Sequence, residues 1–572
     1  MIKMRSKLLK NVSALAVVVT MALALFAQSM VAFAYEPKGA PGTILDIPAD
    51  LQGKTVILHT NDVHGAVENY AQVAMLKNEL KRRGAEVLLV DAGDFSQGTP
   101  YVSTTKGADA ITLMNAAGYD IATLGNHEFD YGYFQLKKNL RQAKFKVVCA
   151  DILLSNGKPI TDANYIFTGK SGLKIGFFGM DTPETQTKAN PALINGLNFL
   201  SGPEMYACAQ SQVNALKGQN CDLVICLSHL GVDDESAPDG NRSVDMYANT
   251  TGIDLLLDGH SHTVMTAGEK DEPVQSTGTK IENIGYVIID NASKKIESRG
   301  LTTVEGIIQD TATLAAAKSV MDRIDKEYNV KFATSEVELN GKKEPGVRTE
   351  ETNLGDLIAD ALKWSVTKEK GSIKVDDDHI IAITNGGGIR ATIGAGDVTK
   401  KDVNTVLPFG NTVAVVYVTG EELLEALEAS TYSTPEAIGG FPQCSGIKFT
   451  INVDAPFAQG SLYPDSTYYK PASINRVSIS SINGKPFSPT DTYAVVTNNF
   501  VAAGGDTYYA FADASDQFDT GIVMDEAVMD YVKTQLGGVI KASDYGNPKG
   551  NITYGAGAAQ PAAQPAASAV AQ

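Results

Sequence analysis

At 572 residues the chain exceeds one compact domain and fits up to about three. With 43% hydrophobic and 20% charged residues it can build a real core, which excludes an intrinsically disordered or collagen-like chain. A net charge of −18 argues against nucleic-acid binding through a basic surface, and five cysteines, sparse and odd in number, exclude a disulfide-stapled scaffold.

The chain opens with Lys3, Arg5, Lys7 and Lys10 and no acid, then an apolar run over 14–26, then the small-x-small site Ala32-Phe33-Ala34. That order predicts an export leader over residues 1–34, cleaved before Tyr35. Residues 12–34 would also just span a bilayer as an uncleaved anchor, but the Ala-Phe-Ala site favours cleavage. No cysteine precedes Cys149, so no lipid-modified N-terminus is expected, and no later segment is apolar enough to cross a membrane. From 53 to 308, β-branched runs at 55–59, 87–90, 121–124, 174–178, 223–227 and 253–257 alternate with helical stretches, the pattern of an α/β layered domain. Leu314, Val320 and Ile324 give residues 309–333 the spacing of a connecting helix. A second domain over 334–553 mixes strands (380–384, 413–418, 493–497) with helices (354–366, 421–428), and residues 554–572, rich in Ala, Pro and Gln, read as a disordered tail.

Five of the seven histidines, His64, His127, His229, His260 and His262, fall at or just after the strand-like runs of the first domain. In α/β folds the carboxyl ends of strands converge on one crevice, so residues far apart in sequence meet there. Asp62-Val63-His64 places two ligand-type side chains two apart, although composition alone delivers roughly half of one such pair by chance, so on its own it reads as a structural histidine. Asp94 follows the run at 87–90, Asn126 and His127 follow 121–124, His229 closes 223–227, and His260 and His262 close 253–257. Together Asp62, His64, Asp94, Asn126, His229, His260 and His262 form an oxygen and imidazole set large enough for two divalent metals, with Asp94 placed to bridge them. A closed structural zinc site would draw on cysteine, and none of the five joins this set.

Leu58-His59-Thr60-Asn61-Asp62-Val63-His64-Gly65 and Gly125-Asn126-His127-Glu128-Phe129-Asp130 resemble the two signatures of the secreted 5′-nucleotidases. That family also takes in bacterial UDP-sugar hydrolases and 2′,3′-cyclic-nucleotide phosphodiesterases, and the resemblance spans nearly all of residues 54–553. It implies a four-layer α/β/β/α metallophosphatase domain joined by a helix to an α+β nucleotide-binding domain. By the resemblance Asp62, His64, Asp94 and His262 hold one metal, and Asp94, Asn126, His229 and His260 the other, with Mn, Zn or Co as the ions. His262 stands where some relatives carry Gln or Asn, and Asp151 where relatives often show Asn. His127 is left outside the ligand set, with Asp130 three residues on, a spacing that lets the carboxylate hold the imidazole in one tautomer and favour its charged form. The pair resembles the family's catalytic dyad.

In the second domain Asn385-Gly386-Gly387-Gly388-Ile389-Arg390 follows a strand, so its glycines permit backbone approach to an anion and Arg390 can fork onto phosphate. Arg348 resembles a second anion clamp. Gly440-Phe441-Pro442-Gln443 and the segment 499–506 resemble the family's base and ribose site, with Phe441 and Phe500 sandwiching the base and Asp506 accepting from ribose hydroxyls. Leu407-Pro408-Phe409-Gly410-Asn411 reads as loop structure, and Cys444 as packing. The resemblance implies an exported (periplasmic, cell-surface or extracellular) dinuclear-metal phosphohydrolase releasing phosphate from nucleoside 5′-monophosphates, with nucleotide sugars, di- and triphosphates or cyclic nucleotides as further substrates. The alternatives are a phosphodiesterase or pyrophosphohydrolase on the same fold, or a surface protein that binds nucleotides without turnover; a sulfur-oxidation relative with the same metal fold shows that fold alone does not fix the substrate.

Overall fold

Strand Lys54–Thr60 sends alternate side chains into two different cores, Val56 and Leu58 to one and Ile57 to the other. Glu86–Asp91 does the same with Val87 and Leu89 against Leu88 and Val90, and Asn283–Asp290 with Ile284 and Ile288 against Val287 and Ile289. A period of two makes both faces of a sheet available, so a strand apolar on both faces must be covered on both. The computed structural model describes residues 38–555 except 234–235, 238–239, 369–372, 465 and 515. The leader expected over 1–34 lies outside the described residues, as does the expected tail from 556 onward. The chain's final described strand, Ile552–Tyr554, carries the second domain one residue past the expected boundary.

The first sheet runs in the order Lys295–Thr303, Asn283–Asp290, Lys54–Thr60, Glu86–Asp91, Ile121–Ala122, Lys146–Val147. The second runs Val264–Met265, Val274–Thr277, Leu255–Leu257, Leu223–His229, Lys174–Asp181, Asn164–Thr168. Between them Ile57, Val90, Val287, Phe177, Ile225 and Leu257 form one apolar layer. Helices Tyr70–Arg82 and Ala108–Ala117 cover the far face of the first sheet, and Gly202–Gly218 covers the second, where Leu216 approaches Gly176 closely. The result is the expected α/β/β/α stack. Each fully buried Leu or Ile in such a layer contributes about 1.5–3 kcal/mol.

Asp310 caps helix Thr311–Tyr328 by accepting from Thr313 N at 2.9 Å. Thr313, Ala317, Val320 and Ile324, three or four apart, bury one face of it. That face packs on Tyr70–Arg82 and Ala108–Ala117, so the connecting helix belongs to the first domain's outer layer, and the next strand begins already at Lys331. The second domain centres on a sheet ordered Pro442–Ser445, Ile380–Asn385, Thr492–Asn498, Thr412–Thr419, Asp516–Val523. Alternation again feeds two cores, Ala382, Val415 and Val496 on the side of helix Asn353–Thr367, and Ile383, Val416 and Val495 on the side of helix Gly420–Ser430. Polar contacts join the domains: Lys401 reaches Asp325 Oδ1 at 2.8 Å, an atom that also accepts from the first domain's own Tyr101 at 3.0 Å, and Tyr131 donates to the Pro408 carbonyl at 3.3 Å.

Candidate active site

Five strand ends of the first domain deliver its candidate ligands to one place. Asp62 and His64 follow Lys54–Thr60, Asp94 follows Glu86–Asp91, Asn126 follows Ile121–Ala122, His229 ends Leu223–His229, and His260 and His262 follow Leu255–Leu257. Asp62, His64, Asp94, His260 and His262 all sit at φ between 45° and 73°. Left-handed backbone at non-glycine residues costs about 1–3 kcal/mol each and survives where surrounding structure over-determines it. Here two hydrogen bonds between the neighbouring loops do so, Asp62 N to Gly93 O at 2.9 Å and His64 N to Asp94 O at 3.1 Å. The buried Glu128 carboxylate then gathers the backbone N–H groups of Asp94, Phe95, Ser96 and Gly125 within 2.8–3.0 Å. Gly125 itself is dictated by crowding, since a Cβ there would lie 2.4 Å from Asp94 Oδ1 and 2.6 Å from His229 Nε2.

Asp94 stands at the centre. Its Oδ2 is 3.1 Å from His229 Nε2, 3.7 Å from His64 Nε2 and 4.0 Å from His127 Nε2, while its Oδ1 accepts His127 N at 2.9 Å. Asp62 Oδ1 lies 3.5 Å from His262 Nε2 and 3.8 Å from both His64 Nε2 and His229 Nε2. His260 Nδ1 meets Asn126 Oδ1 at 2.9 Å. Among the described residues three groups have ligand atoms within 4.8 Å of one another: Asp62, His64 and His262; Asp62, Asp94 and His229; and His64, Asp94 and His127.

Two observations show that this donor set fits divalent cations. The Nε2 atoms of His64 and His262 face each other at 3.0 Å, and burial first, then each other's proximity, holds His262 well below its ordinary pKa, with His64 likewise depressed by burial. Two neutral imidazoles turned toward one point can offer a cation its first two lone pairs. The other observation is His229 Nε2, fully buried 3.1 Å from Asp94 Oδ2: neighbouring imidazoles hold that carboxyl well below its usual range despite burial, and the surrounding carboxylates raise His229 well above its own, so positive charge is what this buried cluster of acids favours.

His127 Nδ1 bonds Asp130 Oδ2 at 2.8 Å, the separation the i, i+3 spacing implied. Its charge state differs from the expectation: burial outweighs the nearby carboxylates and pushes the imidazole down to about 3. Burial also lifts Asp130 well above the ordinary carboxyl range. His127 stacks on Phe409, with ring centroids 5.7 Å apart, and the Arg390 guanidinium lies 5.8 Å from the other partner's ring centre.

A cleft of about 340 Å³ joins this cluster to the second domain and is lined by His64, Asp94, His127, Arg348, Arg390 and Phe500, with Phe409, Lys188, Asn385, Gly387 and Asp506 also on its wall. Burial, then the charge of Arg348, lowers Arg390 to about 10, so it remains cationic at neutral pH. Asp506, at φ 51° and 3% exposed, accepts from Asn385 Nδ2 at 2.7 Å and donates its own N–H to the Thr187 carbonyl at 2.7 Å. Two expectations are corrected. Phe441 is fully buried in the second domain's core and does not line the cleft, so it cannot face Phe500 across a base; Phe409, read from sequence as plain loop, is the aromatic that does line it. The N–H groups of Gly386 and Gly387 are committed to Phe441 O and Gly439 O at 2.7 Å, so neither of these two glycines offers its N–H to an anion. Phe500 keeps its place because Gly505 has no side chain: a Cβ there would sit 2.4 Å from the ring. Sequence reasoning also missed Glu128 and Glu184; the second approaches His260 Nε2 at 3.3 Å. Glu128 lies within the motif at 125–130, where only its neighbours carry an expected role, whereas nothing local marks Glu184.

Residues 55–264 match the calcineurin-like phosphoesterase model, and residues 331–513 match the 5′-nucleotidase C-terminal domain. A 5′-nucleotidase of Diplobatis ommata is 30% identical over 530 residues, covering 83% of this chain and 87% of that protein. The chain belongs to the 5′-nucleotidase family. It is therefore a metal-dependent phosphoesterase, a hydrolase built from a calcineurin-like domain and a separate C-terminal 5′-nucleotidase domain. The trifunctional nucleotide phosphoesterase of Bacillus subtilis is 31% identical across 85% of this chain, which spans only 34% of that longer protein. Among solved structures, a 5′-nucleotidase precursor from Thermus thermophilus superposes with a TM-score of 0.71 at 27% identity, covering 88% of this chain and 99% of that one.

Proposed function

We propose that this family member releases inorganic phosphate from nucleoside 5′-monophosphates, with the first domain (53–308) carrying the chemistry and the second (334–553) reading the nucleoside. The observation that carries the reading is the single cleft in which Asp94, His127, Arg390 and Phe500 share a wall. Asp62, His64, Asp94 and His262 would hold one divalent ion, and Asp94, Asn126, His229 and His260 the second, with Mn, Zn or Co suited to mixed imidazole and carboxylate donors. Bound there, the ions supply an acidified water as nucleophile and positive charge against the phosphoryl oxygens.

The chain's own groups do the rest. Arg348 and Arg390 clamp the phosphate as guanidinium forks and set its orientation. His127, fixed through Nδ1 on Asp130, turns Nε2 toward the reacting centre. Its resting imidazole is neutral, and an arriving phosphoryl anion favours the protonated form, so the residue steadies developing charge and delivers a proton to the leaving ribose oxygen. Phe409 and Phe500 flank the base, and Asp506, steadied by Asn385, accepts from the ribose hydroxyls.

The relative named a trifunctional nucleotide phosphoesterase supports extending the same site to further nucleotide esters such as 2′,3′-cyclic nucleotides, and we extend the proposal to the phosphoanhydrides of nucleotide sugars and di- and triphosphates. The basic, apolar, small-x-small order of residues 1–34 supports export of the mature chain, and among the described residues no helix is long and apolar enough to cross a membrane. Steady phosphate release from AMP by the purified protein, lost with a chelator and regained with Mn²⁺, tests the reading. AMP binding without any turnover in metal-loaded protein would reject it in favour of a non-catalytic nucleotide binder.

A further inference from the structure

Each imidazole of a metal centre has a second ring nitrogen, and the partner of that nitrogen decides which tautomer the ring adopts and which atom offers its lone pair. For His229 the partner is a backbone carbonyl, Ala92 O, 2.6 Å from Nδ1. For His64 it is also a carbonyl, Gln97 O, 3.3 Å from Nδ1. His260 is turned the other way round. Its Nδ1 faces the site beside Asn126 Oδ1 at 2.9 Å, and its Nε2 lies 3.3 Å from Glu184 Oε2.

We propose that Glu184 is a positioning residue of the metal centre, accepting the Nε2 proton of His260 so that Nδ1, beside Asn126 Oδ1, is the ring atom that gives up its proton and offers a lone pair to a cation. Glu184 is 2% exposed, and a carboxylate is costly to bury where a carbonyl would orient the ring equally well. What a carboxylate adds is negative charge behind the ring, which strengthens the imidazole as a donor to a cation. The position follows from topology: strand Lys174–Asp181 lies beside Leu223–His229 with Asp181 in register with His229, so the turn leaving it enters the same crevice.

The same turn reaches the other wall of the cleft. Glu184 precedes the helical turn Thr185–Lys188, whose Thr187 carbonyl takes the Asp506 N–H at 2.7 Å and whose Lys188 Nζ lies 3.5 Å from Asp506 Oδ1. One end of a single turn holds a metal-side imidazole and the other holds the carboxylate assigned to the ribose. The two ends therefore have separable effects, Glu184 on metal affinity and Lys188 on nucleoside affinity.

The proposal rests on the dinuclear-metal reading above, and the test separates the two. Mn²⁺ affinity of the full chain is measured by chelator competition for wild type, Glu184→Ala, Glu184→Gln, Lys188→Met and Asp94→Asn. The expected result is a 10–100-fold loss in Glu184→Ala, the scale for an outer partner of a ligand, and a smaller loss in Glu184→Gln, whose amide oxygen still accepts. Lys188→Met weakens AMP binding and leaves Mn²⁺ affinity unchanged. Wild-type affinity in both Glu184 variants alongside a loss in Asp94→Asn overturns the role of Glu184, whereas unchanged affinity in Asp94→Asn as well overturns the metal reading itself. The wild-type protein gives an answer that does not depend on the variants folding. In the Zn²⁺-loaded wild-type protein, long-range ¹H–¹⁵N spectra resolve the tautomers of the seven histidines, and His260 is expected protonated at Nε2 alone; protonation at Nδ1 instead refutes the proposal.

Discussion

His127 and Phe409 stack across the domain boundary, their rings 28° from parallel, so the imidazole assigned to catalysis touches an aromatic wall that the other domain supplies. Arg390 covers the same ring. Replacing Phe409 therefore acts on both halves of the reaction. Phe409→Ala is expected to raise KM for AMP about tenfold or more, as loss of one stacking partner worth roughly 1–3 kcal/mol would, and also to lower kcat by loosening His127. Steady-state kinetics with kcat unchanged would show that the stack does not steady the imidazole.

Phe441 and Phe500 have different places and should respond differently. Phe500→Ala raises KM for AMP but barely alters hydrolysis of a small aryl phosphate that has no base to stack. Phe441→Ala leaves a cavity in the core and costs about 3–5 kcal/mol of stability, visible as a drop in Tm. An AMP-specific KM effect in Phe441→Ala with Tm intact would restore it to the binding site.

Asp94 faces His229, His64 and His127 at once, and in the proposed assignment it is the one ligand that both ions share. Chelation is expected to abolish hydrolysis, with Mn²⁺, Co²⁺ or Zn²⁺ restoring it, and Asp94→Asn to be the most damaging ligand substitution. Metal analysis of that variant is decisive: two tightly held ions would remove Asp94 from the bridging position.

His127→Ala is expected to keep its metal content and near-normal KM while kcat falls by about 10² to 10⁴, the usual scale for a positioned proton donor. Asp130→Asn, which leaves the ring in place with a weaker partner, should lose less. If metal is lost along with activity in His127→Ala, the residue is a ligand and not an acid.

Glu351 and Asp356 secure the last strand, accepting from Asn551 N at 3.0 Å, Ile552 N at 3.1 Å and Lys549 N at 2.9 Å. Burial, and then the charge of Glu351, pushes Asp356 up to about 8. A carboxyl raised in the folded state favours the protonated form, so its cost is absent below about pH 4 and grows as pH climbs toward 8. Asp356→Asn removes that titration. Its Tm relative to wild type should rise by a few degrees between pH 4.5 and 8.5, about what 1–2 kcal/mol moves a domain of this size. A Tm difference flat across that range would place the titration elsewhere.

Much of this was legible in the chain itself. Alternating apolar residues set the strands, because a buried strand must satisfy two faces, and the rule that strand ends converge gathered Asp62, His64, Asp94, Asn126, His229, His260 and His262 before any coordinates. The His127–Asp130 contact followed from local spacing alone. Phe409, Phe441, Glu128 and Glu184 were decided only by the tertiary structure. An aromatic beside glycines has no local signal for whether it faces a core or a cleft, and here Phe441 lies in the core while Phe409 faces the cleft. Nor does a single glutamate announce that a distant imidazole needs a partner. The left-handed backbone at five candidate ligands was equally invisible, because that strain is sustained by hydrogen bonds between loops remote in sequence. Periodicity and spacing report what a segment does to itself; which surfaces two segments share is set by packing, and it is packing that placed Phe409 and Phe500 in one cleft with His127 and Asp94.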